Sequence, residues 1–269
     1  MMNPVSASQT LMTRWGRRVR TTWTTWWQVV MLGAQILVMA LAPSSYARGP
    51  RRQGVLLHVY TATAPLLTGF LVLSALVSLV LIRIVVATAY SYGLSQYALE
   101  VLVRTLVLEL IPLYAAMFVA LRYAMPGAQW VREQLSSHQR SGQALGEGVL
   151  LATELLPRAL ASVFSVLMLA ALSCVIALVL TYFTVYGFSQ WGLPGYTRSV
   201  GQVFTPAVTL IFALKTLFFS LTVAVVPLAG SAQQDARGLY AQRSDISEFA
   251  RLFSVVLLIE VVSLVGNYY

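Results

Sequence analysis

The chain has 269 residues, 58% of them hydrophobic and only 10% charged, with a mean hydropathy of +0.74. Soluble domains are not built from that composition, and the length is taken up by apolar segments, so the sequence describes a polytopic helical membrane protein with no separate soluble domain. The net charge of +9 comes from scattered Arg and a single Lys rather than from one basic face, which argues against a nucleic-acid binder.

Arg14, Arg17, Arg18 and Arg20 precede Trp23, Trp26 and Trp27, and an apolar run then continues to Ala42. A basic start and an apolar core also describe a signal peptide, and Ser45-Tyr46-Ala47 offers a weak cleavage site, but three Trp and a late start fit a surface anchor better. Residues 26–42 sit at the lower length limit for a span, about 17 residues. Crossing would put Arg48, Arg51 and Arg52 on the opposite side from the first basic cluster, against the excess of basic residues in inner loops. We therefore expect an interfacial helix anchored by Arg17, Arg18, Trp23, Trp26 and Trp27. This divides the chain into a basic N-terminal segment, 1–53, and a membrane domain, 54–269.

Residues 43–53 read as a polar loop and 54–64 as a lead-in. The first span is predicted from Pro65, well placed at a helix start because its missing N–H costs nothing there, to about Thr88. Arg83 lies roughly 27 Å along it and can snorkel to the far interface. Tyr90, Tyr92 and Tyr97 mark a short outer loop, and the second span covers 98–124. Glu109 and Pro112 lie near its middle. A carboxylate at that depth must be paired, protonated or facing a wet cavity, and proline frees the carbonyl four residues back and bends the helix. The segment is either a kinked helix with a satisfied carboxylate or the wall of a substrate path.

Helix formers between Gln129 and Leu145, bounded by Pro126-Gly127 and Gly146, predict a separate polar helix on the inner side. An apolar third span follows at about 157–186, then a Gly/Pro/aromatic outer loop at 187–201, a fourth span at 203–229, a short inner loop and a last span at 249–265. The proposed inner segments hold four Arg before the first apolar run, three at 48–52, and Arg132, Arg140, Arg237 and Arg243; the outer loops hold Arg198 alone. That asymmetry favours five spans with the N-terminus inside and the C-terminus outside. Counted from the span ends, Glu109, Lys215 and Glu260 all lie roughly 16–18 Å deep, near the middle of a hydrocarbon core about 30 Å thick. Lys215 is predicted to pair with Glu260, Glu109 or both, because a lone charge there is costly.

Catalytic chemistry is not legible. Cys174 is a single cysteine, and His58 and His138 have no ligand cluster around them, so no metal site is expected. Lys215 follows Phe-Ala-Leu instead of a glycine-rich phosphate loop, and no serine-hydrolase, zinc-protease or redox motif occurs. We expect no enzyme activity and no cofactor in this chain; ATP, if used, acts through a partner subunit.

Several segments carry a resemblance. LVLELIPLYAAMFVALR, residues 106–122, is similar to the pattern L-x-R-E-L-G-P-x8-G-R, matching at Glu109, Leu110, Pro112 and Arg122, with Leu108, Ile111 and Leu121 replacing the usual Arg, Gly and Gly. Leu156-Pro157-Arg158 resembles a Val-Pro-Arg that opens the third span, and FALKTLFF, 212–219, resembles G-L-I-K-x-x-x-F in the fourth. In order and spacing these resemble the MlaE/YrbE permeases, the membrane subunits of MCE-type lipid ABC transporters. The resemblance covers roughly 50–267. It implies an all-α fold of five transmembrane helices with an N-terminal interfacial helix and a cytoplasmic coupling helix, in a bacterial inner membrane. It further implies a homodimer holding phospholipid in an apolar cavity, an MCE-domain protein above and an ABC ATPase docked on the helix bearing Trp130, Leu135, His138 and Gln139. In that family a Lys and an acid occupy the positions of Lys215 and Glu260. The docking loop departs from the family: of its usual E-Q-I-D-A-L only Gln139 survives in the ungapped register, and a gapped one sets Glu133-Gln134 there. The second reading is accordingly a non-transporting membrane scaffold with a decayed docking signature.

Overall fold

A computed structural model describes residues 23, 26–42, 49–94, 97–140, 149, 151–236 and 245–268. Among them every regular element is helical. Helix α1 covers Trp26–Leu41. It is followed by α2, Gly49–Ser91; α3, residues 98–140; α4, residues 151–186; α5, Leu193–Val203; α6, Pro206–Ala236; and α7, Asp245–Tyr268. Five stretches are long and apolar enough to cross a membrane: Gly54–Ser91, Ala98–His138, Thr153–Tyr186, Pro206–Ser231 and Ile246–Gly266.

Three boundaries differ from the sequence reading. Pro65 does not open the first span; it lies inside α2, which starts at Gly49. Proline removes one hydrogen bond, and the apolar segment before it is helix-forming in its own right, so the helix runs through as membrane helices often do. Pro126-Gly127 does not separate the polar helix from the second span either. A π-helical turn, Ala120–Ala124, leads directly into Met125–Arg140, and the helix runs on through Pro126 although that residue has no N–H to give to the turn before it. The predicted end of that helix, 141–145, lies outside the described residues. Finally, the loop predicted at 187–201 is mostly α5.

Gly187, at φ +66°, ends α4 in a conformation that disfavours a side chain, and Gly192 lies beneath the Tyr186 ring, where a Cβ would come within 2.6 Å of a ring carbon. Tyr196 then ties α5 down: its hydroxyl donates to the Leu178 carbonyl at 2.8 Å, with its ring centroid 5.2 Å from that of Tyr182. Burial, and after it the neighbouring Tyr186, pushes the Tyr196 hydroxyl up to about 12.

The packing sets α3 and α6 in the middle. More than half of the most apolar window of α3 is buried, 56%, against 22% for α2 and 17% for α7. The most extensive contact is α2 along α4, while α4, α7 and Met125–Arg140 all rest on α6. Val72, Leu76 and Val80 on α2 and Leu258, Val262 and Val265 on α7 form exposed apolar rows, faces suited to lipid or a second copy. Two buried clusters fill the interior. One holds Phe70, Val119, Leu169, Phe219 and Leu252; the other holds Ile82, Leu102, Leu106, Ile111 and Val203.

Helix α1 rests on α6. Val29 and Ile36, seven residues apart, are buried, and a Cβ added to Gly33 would meet Val225 at 3.3 Å. At only sixteen residues, α1 is an apolar helix about 24 Å long, shorter than the roughly 30 Å hydrocarbon core. The expectation that it lies along the inner interface is checked by replacing Cys174 with Ala and Ser45 with Cys. An impermeant thiol reagent should leave intact cells unlabelled and label them only after permeabilisation; labelling from outside refutes the interfacial placement.

Candidate functional site

The site starts with a local irregularity in α3. Val103–Leu110 is π-helical, and the Ile111 N–H reaches back five residues to the Leu106 carbonyl. Pro112 follows in the first turn of Ile111–Val119 and has no N–H to give, so the carbonyls four and five residues back lose their helical donor. Both find other company. The Leu108 carbonyl accepts from Lys215 Nζ at 3.3 Å, and the Val107 carbonyl lies 3.8 Å from the Cys174 thiol. The proline and the lysine are thus two halves of one device: α3 opens an acceptor, and α6 supplies the cation that fills it.

Around that cation the structure brings Glu109 and Glu260 together. Lys215 Nζ donates to Glu109 Oε2 and lies 2.7 Å from Glu260 Oε2. The second contact is an ion pair without the alignment of a hydrogen bond. All three residues are buried, at 2%, 7% and 9% exposure for Lys215, Glu109 and Glu260. Phe219, one turn along α6 and fully buried, underlies the ammonium with its ring centroid 5.7 Å away. Three helices, α3, α6 and α7, each contribute one charge, as their equal depth in the sequence implied. Two carboxylates facing one ammonium leave a negative balance in a low-dielectric setting unless one of them holds a proton. Pro112 is buried beside this cluster.

The other expected site residues are more dispersed. Trp130 is 43% exposed, and the Arg158 guanidinium lies 4.2 Å from its ring centroid. Leu135 is not a surface anchor. It is 7% exposed and continues the buried row Ala124, Ala128, Val131, whose spacing is that of one helix face turned toward the bundle. That stripe was legible in the sequence. His138 is partly exposed and engages the Gln134 carbonyl through Nδ1 at 2.8 Å; the Gln139 side chain, Arg17 and Arg18 lie outside the described residues. Trp23 and Trp27 are 73% and 65% exposed, while Trp26 faces Arg251 at 6.0 Å.

Beyond the exposed Arg104–Glu100 pair on α3, two less exposed ion pairs among the described residues were not anticipated. Arg158 donates to both the main-chain carbonyl and the carboxylate of Glu154, at 2.9 and 2.5 Å; the i, i+4 order of acid before base is a signal the sequence carries. Arg132 Nη2 bonds both oxygens of Glu248, at 2.7 and 2.8 Å, across 116 residues, and nothing local marks that partnership.

Compared with known proteins, residues 55–265 match the family described as Permease MlaE, a stretch that includes Glu109, Lys215 and Glu260. No curated protein matches the chain.

Proposed function

Because the chain belongs to the MlaE permease family, whose members are transporter membrane subunits and not catalysts, we propose that it is the permease of an ATP-driven, MCE-type lipid transport complex in a bacterial inner membrane. Two copies enclose an apolar cavity for phospholipid. An ABC ATPase binds at Met125–Arg140, and an MCE-domain protein sits over the opposite, outward end. The observation that carries this reading is the Lys215–Glu109–Glu260 cluster beside a π-helical, proline-interrupted segment of the most buried span. A pure scaffold gains nothing from three charges at one level of the bundle, each costly to insert. A permease gains a polar point on an otherwise apolar wall, able to shift as helices move.

The test is co-purification of the tagged chain from its native membrane. The permease reading expects an ABC ATPase and an MCE protein to come with it; recovery of stable complexes without any ATPase favours the scaffold instead. Trp130→Asp refines the result. The residue is half exposed on the polar helix and off its buried stripe, so the change is expected to release the ATPase with the membrane helices still folded. An ATPase that stays bound through it refutes docking at Trp130. Leu135→Asp does not serve here, since it drives a charge into the buried row and damages the fold.

A further inference from the structure

We propose that Arg132 and Glu248 couple the docking helix to the central charge cluster, so that movement of Met125–Arg140 is delivered to Glu260 through α7. The inference rests on the permease reading.

Arg132 lies on Met125–Arg140 and Glu248 in the first turn of α7. Their contact is two-pronged and nearly dry, with side-chain exposures of 20% and 3%. A single guanidinium nitrogen, Nη2, reaches both carboxylate oxygens, a short charge-assisted contact that holds the two helices at a set distance. The carboxylate lies against bare backbone of α6: a Cβ on Gly230 would fall 2.6 Å from Glu248 Oε1. The same three helices, α3, α6 and α7, meet again at Glu109, Lys215 and Glu260. Charge therefore joins α3 to α7 at two levels, directly through Arg132–Glu248 and through Lys215 of α6 at the central cluster.

The segments between the two levels differ in stiffness. Glu248 to Glu260 is twelve residues of unbroken helix, roughly 18 Å, with neither Gly nor Pro inside it. Lys215 to Gly230 on α6 is roughly 22 Å and contains Pro227, a natural bending point. On α3 the two levels are separated by the π-helical turn Ala120–Ala124 and by Pro112 and Pro126. So α7 is the rod. A displacement of the docking helix cannot slide past Glu248 without stranding a buried carboxylate, so it moves the start of α7. The far end of that rod carries Glu260, the cluster's ion-paired but unaligned carboxylate. Arg132 and Glu248 are positioning residues on this account.

The test uses the full chain purified with its native partners and reconstituted in phospholipid vesicles, with ATP hydrolysis and lipid movement measured in the same sample. Three variants separate the possibilities. Arg132→Met combined with Glu248→Gln removes both charges and strands neither; Gly230→Ala keeps both charges but displaces the carboxylate; Arg132→Lys keeps the cation on a shorter, non-planar head. The first two should retain the ATPase and its hydrolysis while lipid moved per ATP falls about tenfold, and Arg132→Lys should fall less. A ratio within about twofold of the parent in both overturns the coupling role. So does loss of the ATPase itself, which would make the pair a docking feature. A parent chain that recruits no ATPase overturns the permease reading, and with it this inference.

Discussion

Lys215→Met should destabilise the protein by about 3–5 kcal/mol, the cost of leaving buried charges without their partner. The ammonium is the only cation in contact with both Glu109 and Glu260 among the described residues, and it also fills the Leu108 carbonyl freed by Pro112. Removing it strands two acids and one carbonyl together. Second changes should therefore recover stability in order. Adding Glu109→Gln or Glu260→Gln returns part of the loss, and adding both returns more, because a buried neutral amide costs far less than a stranded carboxylate. Glu260→Gln alone should be the mildest single change, since Lys215 keeps its hydrogen-bonded partner Glu109. Thermal unfolding in lipid nanodiscs measures each step. A Lys215→Met protein within about 1 kcal/mol of the parent, or the absence of rescue by either Gln, refutes a cluster held by that lysine.

Phe219→Ala should cost a similar amount, about 3–5 kcal/mol, for a different reason. Its ring is fully buried on α6 one turn from Lys215 and belongs to the core cluster with Val119, Leu169 and Leu252. Truncation opens a cavity directly beneath a buried ammonium. Phe219→Leu keeps most of the volume and should lose only about 1 kcal/mol. The two variants thus distinguish packing from the cation–π contact, since both remove the ring but only one leaves a hole. Equal losses for Ala and Leu would assign the effect to the ring face over Lys215 and not to the core.

The central cluster was legible because depth along a span is arithmetic. Glu109, Lys215 and Glu260 stand about 11 to 12 residues from the predicted ends of their spans, and charges at one level of an apolar bundle have strong reason to meet. Pro112 was legible as the source of a free carbonyl, but not that Lys215 would take it. The Arg158–Glu154 pair and the buried stripe ending at Leu135 also follow helical spacing and could have been found by it. The Arg132–Glu248 pair could not. Its members are 116 residues apart, and its dry setting depends on Gly230 leaving room beneath the carboxylate.

Composition and hydropathy by themselves determined that this is a membrane protein of five spans with a shorter apolar helix before them, because transfer into a bilayer is a sum over local residues and needs no partner. The continuity of α2 through Pro65 and of α3 through Pro126, the helix at α5, the retreat of Leu135 from the surface and the choice of Glu248 for Arg132 were decided only in three dimensions. Those features depend on how each helix is rotated and which neighbour it meets, and rotation is set by the packing of all the helices at once.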